Sequence, residues 1–153
     1  MLRMSKLTDY GTVVLAHLAS DDSACVSAAD VAHASGIALP TVSKILKSLA
    51  KSGLVLSTRG AHGGYRLSRL PTEISAAEVI DALEGPVSIT ECSSSDSHCN
   101  YEHHCNVGNA WQRINIAIRR ALGDISLADL QRINGPVPQF NLGGIPINVG
   151  RKN

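Results

Sequence analysis

Apolar residues recur along the chain at helical spacing in several stretches and collapse into short β-prone runs in one. Leu7, Val14, Leu15, Leu18 and Ala19, with Tyr10 on a nearby face, predict a first amphipathic helix over 7–19. Asp21, Asp22 and Ser23 then supply a polar loop. Ser27-Ala28-Ala29-Asp30 resembles a capping box, in which the serine oxygen caps orphan amides and the acid three residues later reaches back. It opens a short second helix that Gly36 ends. Pro40 suits the first position of a third helix, where its missing N–H is not needed. Val42, Ile45, Leu46 and Leu49 follow at i, i+3, i+4 and i+7 as one stripe to be buried. Thr41, Ser43, Lys44, Lys47, Ser48 and Lys51 are expected to point away, and Gly53 stops the helix. Two helices joined by about four residues containing a glycine, the second polar and basic outside, form a helix-turn-helix pattern.

Leu54–Ser57 and Tyr65–Leu67 are β-prone and enclose Arg59-Gly60-Ala61-His62-Gly63-Gly64, which predicts a hairpin placed as the wing of a winged helix. A second capping box, Ser75 to Glu78, opens a helix that runs to Gly85. Val107, Ala110, Trp111, Ile114, Ala117, Ile118, Ala121 and Leu122 then recur at helical spacing over about four turns. The chain has little core left to bury such a helix, so it is expected to pack against its counterpart in a homodimer. Ser126 to Ile133 predicts a last short helix, and beyond it proline and glycine dominate. The expected organisation is a DNA-binding winged helix-turn-helix over 1–85 and a cysteine loop over 86–108. A dimerisation helix with a short C-terminal helix follows over 109–134, and a mobile tail over 135–153. The fold class is mainly α, with a small β-hairpin wing.

Composition supports this: the 153 residues are 44% hydrophobic but only 3% aromatic, a balance that suits packed helices. No apolar run approaches the roughly 20 residues of a membrane span and the start lacks the apolar core of a signal peptide, so a cytoplasmic protein without a membrane partner is expected. The net charge of +1 hides a strong local asymmetry. From Val31 to Thr72 there is no Asp or Glu, while Lys44, Lys47, Lys51, Arg59, Arg66 and Arg69 fall in that window. That is the footprint of a localised phosphate-binding face, with double-stranded promoter DNA as partner. Thr41, Ser43 and Lys44 are placed for base edges or phosphates, Lys47 and Lys51 for the backbone, and Arg59 and His62 for an adjacent minor groove or phosphate. No nucleophile elbow, P-loop or Rossmann glycine run is present, so no enzyme is indicated.

Glu91 to Gly108 reads ECSSSDSHCNYEHHCNVG and holds three of the four cysteines, spaced C-x6-C-x5-C. This matches neither the paired knuckles of structural zinc nor the usual ferredoxin run. Three soft thiolates, Cys92, Cys99 and Cys105, suit an iron-sulfur cluster with an unusual fourth ligand, His98, His103 and His104 being nearby candidates. Structural zinc, free thiols and a disulfide are the alternatives. Cys25 stands alone and reads as a small, half-buried hydrophobe.

L-T-D-Y near the start, the helix-turn-helix, the wing R-G-A-H-G-G-Y-R-L, the helix E-V-I-D-A-L-E-G and three cysteines ahead of a Trp-bearing helix together resemble the IscR/NsrR family of dimeric winged-helix regulators. The resemblance implies a repressor that senses iron-sulfur status through Cys92, Cys99 and Cys105, with a 2Fe-2S cluster favoured over 4Fe-4S. The opening KLTDYGTVVLAHLA is most similar to the branch that controls SUF-type cluster assembly genes. A response to nitric oxide or iron supply is the alternative signal. Members of the IscR type use a histidine three residues after the third cysteine, and here that position is Gly108, which cannot ligate. In the nitric-oxide-sensing branch an aspartate near the N-terminus reaches across from the other subunit, and Asp9 occupies the matching position. Asp9 is therefore the leading fourth ligand by resemblance, ahead of His103 or His104 and of a water or small thiol.

Overall fold

The structure, a computed structural model, describes residues 4–20, 25–60, 62–90, 107–132, 141–142 and 145–146. The expectations for Cys92, Cys99, Cys105, His98, His103 and His104, and for most of the tail, lie outside the described residues.

Three helices form the first half. Helix α1 (Lys6–Ala19) is capped by Ser5, whose Oγ accepts the Leu7 N–H at 3.2 Å. Helix α2 (Ala28–Ser35) starts at Ser27, whose Oγ accepts from the Asp30 N–H, and ends at Gly36 in the left-handed conformation. Helix α3 (Leu39–Lys51) carries Pro40 in its first turn and has no side-chain cap. Its apolar stripe of Val42, Ile45, Leu46 and Leu49 is fully buried, and each such side chain contributes roughly 1.5–3 kcal/mol of transfer free energy. A Schellman turn closes the helix: Leu54 N–H donates to Leu49 O at 3.0 Å and Gly53 N–H to Ala50 O at 3.2 Å, with Gly53 at φ +79°.

Strands β1 (Val55–Thr58) and β2 (Gly64–Leu67) pair antiparallel, Val55 opposite Leu67 and Thr58 opposite Gly64. A third segment joins them, because Val26 exchanges backbone hydrogen bonds with Tyr65 at 2.9 and 2.8 Å. A Cβ on Gly64 would sit 2.7 Å from the Val26 carbonyl oxygen, so the third glycine of the wing is what lets the Val26 segment close on the hairpin. After a short 3₁₀ turn (Pro71–Glu73), α4 (Ala76–Leu83) opens with the complete Ser75/Glu78 capping box.

Helix α5 (Gly108–Gly123) packs on α4 through a two-pronged ion pair, Arg119 to Asp81 at 3.2 and 2.7 Å. The chain then returns to the first half. Leu127 N–H donates to Ile74 O at 2.7 Å and Ile125 O accepts from the Ala76 N–H at 2.8 Å, which seats α6 (Leu127–Gln131) against α1. Leu127 is fully buried beside Leu15, Leu18, Val31, Leu46, Ile74 and Val79 in one core. Two-residue strands β3 (Asn141–Leu142) and β4 (Ile145–Pro146) pair with each other. The architecture is the expected one, mainly helical with a helix-turn-helix and a two-stranded wing. Among the described residues no helix is long and apolar enough to cross a membrane.

Candidate nucleic-acid interface

The buried stripe fixes which side of α3 faces out. Pro40, Lys44, Lys47 and Lys51 lie at i, i+4, i+7 and i+11 opposite it, and all four are exposed. Thr41 and Ser43, in the first turns, are half-buried flanks of that face. Ser48, expected outside, instead faces α4, where its hydroxyl donates to Ala82 O at 2.8 Å. A small hydroxyl residue is neutral to apolar periodicity, so its direction is set by whichever carbonyl lies within reach.

Two residues beyond Gly53 the chain enters the wing. Arg59 and His62 are both exposed in the connection between β1 and β2, which Gly63 N–H closes onto Gly60 O at 2.9 Å. Arg66 is exposed on β2 opposite Leu56. Arg69 is different: it donates to Glu78 at 2.7 Å and to the Glu73 carbonyl at 3.1 Å, so its charge is spent on tying the wing to α4. Glu78 answers from its capping position. The Ser75 N–H first, then Arg69, hold its carboxyl below the usual glutamate range. Among the described residues, Lys44, Lys47, Lys51, Arg59 and Arg66 enter no ion pair. Five cations without counter-charges along one continuous run of helix and hairpin are arranged to attract a polyanion.

Asp9 is exposed in the first turn of α1. Ser5 does the capping, and the Asp9 side chain makes no hydrogen bond among the described residues. Next to it is a contact that the periodicity did not announce. Glu84, at the end of α4, accepts from the Ser5 N–H at 3.0 Å, the Ser5 hydroxyl at 2.9 Å and the Thr8 hydroxyl. These donors, the Thr8 hydroxyl foremost, hold its carboxyl below the usual range. The sequence did carry a signal for this. A carboxylate at a helix C-terminus is disfavoured by the helix dipole unless another positive end compensates, and here the N-terminus of α1 does. Beside the clip, Met4, Ile80, Val87, Ile118 and Leu122 line an apolar groove between α4 and α5, and the segment beyond it leads toward the cysteine stretch. Among the described residues no group of three or more His, Cys, Asp and Glu side chains is gathered to hold a metal.

A family model described as Rrf2, iron-dependent transcriptional regulator, matches residues 4–133. The protein rrf2 of Nitratidesulfovibrio vulgaris is 33% identical over 132 residues, covering 86% of this chain and 88% of that protein. Among solved structures, CymR, the global cysteine regulator of B. subtilis, superposes with a TM-score of 0.67 at 29% identity, over 88% of this chain and all of that one. IscR of T. potens gives a TM-score of 0.63 at 29% identity, over 84% of this chain and 85% of that one.

Proposed function

The chain belongs to the Rrf2 family of transcriptional regulators, and from that premise we propose that it is a homodimeric, cytoplasmic repressor whose hold on a promoter operator reports the state of an iron-sulfur cluster. It is a DNA-binding regulator and not an enzyme. The observation that carries the DNA-reading half is the set of five cations on α3 and the wing that enter no ion pair among the described residues. Thr41, Ser43 and Lys44 meet base edges or nearby phosphates in the major groove. Lys47 and Lys51 neutralise phosphates further along the backbone, and Arg59 and His62 carry the wing into the flanking groove. In this reading residues 1–85 are the reader, 86–108 the cluster loop, 109–134 the dimer segment and 135–153 a tail.

The sensing half rests on donor chemistry. Cys92, Cys99 and Cys105 would hold the cluster, a 2Fe-2S one in preference to 4Fe-4S, because three thiolates suit soft iron-sulfur ligation. When bound, the cluster supplies a redox-sensitive and chemically labile tie. Gly108, the first residue of α5, brings no donor. Asp9 of the other protomer is the proposed fourth ligand, and its exposure without a side-chain partner among the described residues supports this. Val107, Trp111 and Ile114, at i, i+4 and i+7, present an apolar face at the start of α5 to solvent, which supports pairing of α5 with its counterpart. The proposed targets are SUF-type cluster assembly genes. The family description as iron-dependent favours iron supply as a second signal.

Purification without oxygen tests the sensor directly. A brown protein with iron and acid-labile sulfide is expected, and its footprint on the upstream DNA of its own gene should change at fixed salt once the cluster is removed. A colourless zinc protein, or an unchanged footprint, defeats the sensing half and leaves the DNA-binding half standing.

A further inference from the structure

Helix α3 begins without a polar group. Its N-cap is Ala38, which offers no side-chain oxygen, and the next two residues are Leu39 and Pro40. All three are exposed, Leu39 by 46%. Ile37, just before, packs against the core, and Leu39 is not among the residues that do. Leu39 lies one turn ahead of Ser43, at i and i+4, so it borders the outer face that carries Lys44, Lys47 and Lys51. Helices of this kind usually start on Ser, Thr, Asp or Asn, and four other helices among the described residues, α1, α2, α4 and α6, start on a capping serine. Giving up that cap exchanges a hydrogen-bonding tip for a hydrocarbon one on the element that carries three exposed lysines.

Only one feature of the major groove matches a hydrocarbon tip. Base edges there show donors and acceptors, and the C5-methyl of thymine is the single apolar group that projects into it. We propose that Leu39, flanked by Ala38 and Pro40, is a specificity-determining residue that reads thymine methyl groups at the operator. This rests on the DNA-reading role of α3 above. Lys47 and Lys51 along the same helix supply the phosphate attraction that brings the tip into the groove, and phosphate contacts carry no base preference of their own. Leu39 then selects thymine over cytosine, and over any pyrimidine that lacks the methyl, by burying hydrocarbon against it.

The test uses the full-length protein and a duplex recovered by it from a randomised pool. Each thymine of that duplex is replaced in turn by deoxyuridine, which removes only the methyl. At one or two positions per half-site, wild-type binding should weaken about fourfold, the factor that burial of one methyl group is worth. Leu39→Ala should bind the thymine and deoxyuridine duplexes equally, while Lys47→Ala should weaken both alike and leave their ratio intact. Circular dichroism of Leu39→Ala should match the wild type, because the side chain is not part of the core. Wild-type affinity that ignores every methyl, or a Leu39→Ala protein that keeps the full discrimination, overturns the assignment while DNA reading by α3 survives. Recovery of no duplex from the pool removes the DNA-reading role, and this inference with it.

Discussion

Helices α3 and α5 look alike as strings of letters, each a run of apolar residues at helical spacing, yet they end in opposite circumstances. Every member of the α3 stripe is fully buried against α1, α2 and α4. In α5, Trp111 is 40% and Ile114 is 44% exposed, and the one buried residue is Asn115. Periodicity predicts that a helix has an apolar face, and it is silent on what will cover that face. Helix α3 is enclosed by α1, α2, α4 and β1, whereas among the described residues α5 leans chiefly on α4, where Arg119 pairs with Asp81. Stability in this chain therefore sits in the reader, and α5 is left with surface to offer to something else.

The largest test of that division strikes the covered helix. Leu49→Ala removes a fully buried side chain from the middle of the core and should cost about 2–5 kcal/mol, read as a lower midpoint in chemical denaturation at unchanged slope. A loss below about 1 kcal/mol would mean that the α3 stripe is not the centre of the fold. The uncovered helix should behave in the opposite way. Trp111→Ala should leave the stability of the isolated protomer nearly unchanged and weaken self-association by a factor of about 30, the scale of a 2 kcal/mol interface anchor. Sedimentation over a range of protein concentrations reads this. If Trp111→Ala unfolds the protomer and leaves association intact, the two helices are less different than their exposures say.

On the outer face of α3, the effect expected is smaller and of another kind. Lys47 is exposed and enters no ion pair among the described residues. Lys47→Gln should keep the fold, weaken binding to all duplexes evenly, and lower the salt slope by about one. A titration of affinity against salt that gives parallel lines for the two proteins would show that Lys47 touches no phosphate.

How far the sequence reached depended on distance along the chain. The α3 stripe, the stop at Gly53, the wing and the Ser75 and Ser126 capping boxes were legible because each is written within a few neighbouring residues. The features missed join residues far apart. Val26 extends the wing by pairing with Tyr65, Leu127 reaches the core through Ile74, and Glu84 clips the start of α1 through Ser5 and Thr8. Arg69 counted as one of the six cations of the basic window until Glu78 was seen to neutralise it. Of the candidate site, the lysines of α3 and the wing residues Arg59 and His62 stand exposed, and Ser48, expected beside them, is turned toward α4. Cys92, Cys99 and Cys105 lie outside the described residues, so their joint action remains a matter of donor chemistry.

The smallest effect concerns α4, which touches both regions, α3 through Ser48 and α5 through Asp81. Its two ends are held by carboxylates, Glu78 by Ser75 and Arg69 and Glu84 by Thr8 and Ser5, and both have folded pKa values depressed below the ordinary one. A depressed carboxylate contributes stability that is fully present above its unfolded pKa, about 4.3 for glutamate. That contribution is lost as pH falls from there through the lower folded values. Both groups are near the surface, so solvent and salt screen them and the change should stay within about 1 kcal/mol. Glu78→Gln keeps a side chain able to serve the capping box and removes the charge that Arg69 pairs with. Its stability should match the wild type more closely at acid pH than at neutral pH, and Glu84→Gln should take away the remainder of the acid sensitivity. Denaturation midpoints from pH 7 down through the acid range read the difference. If both variants keep the wild-type acid limb, the carboxylates at the ends of α4 do not hold it, and the coupling of the reader to α5 must run through Arg119 and Asp81 alone.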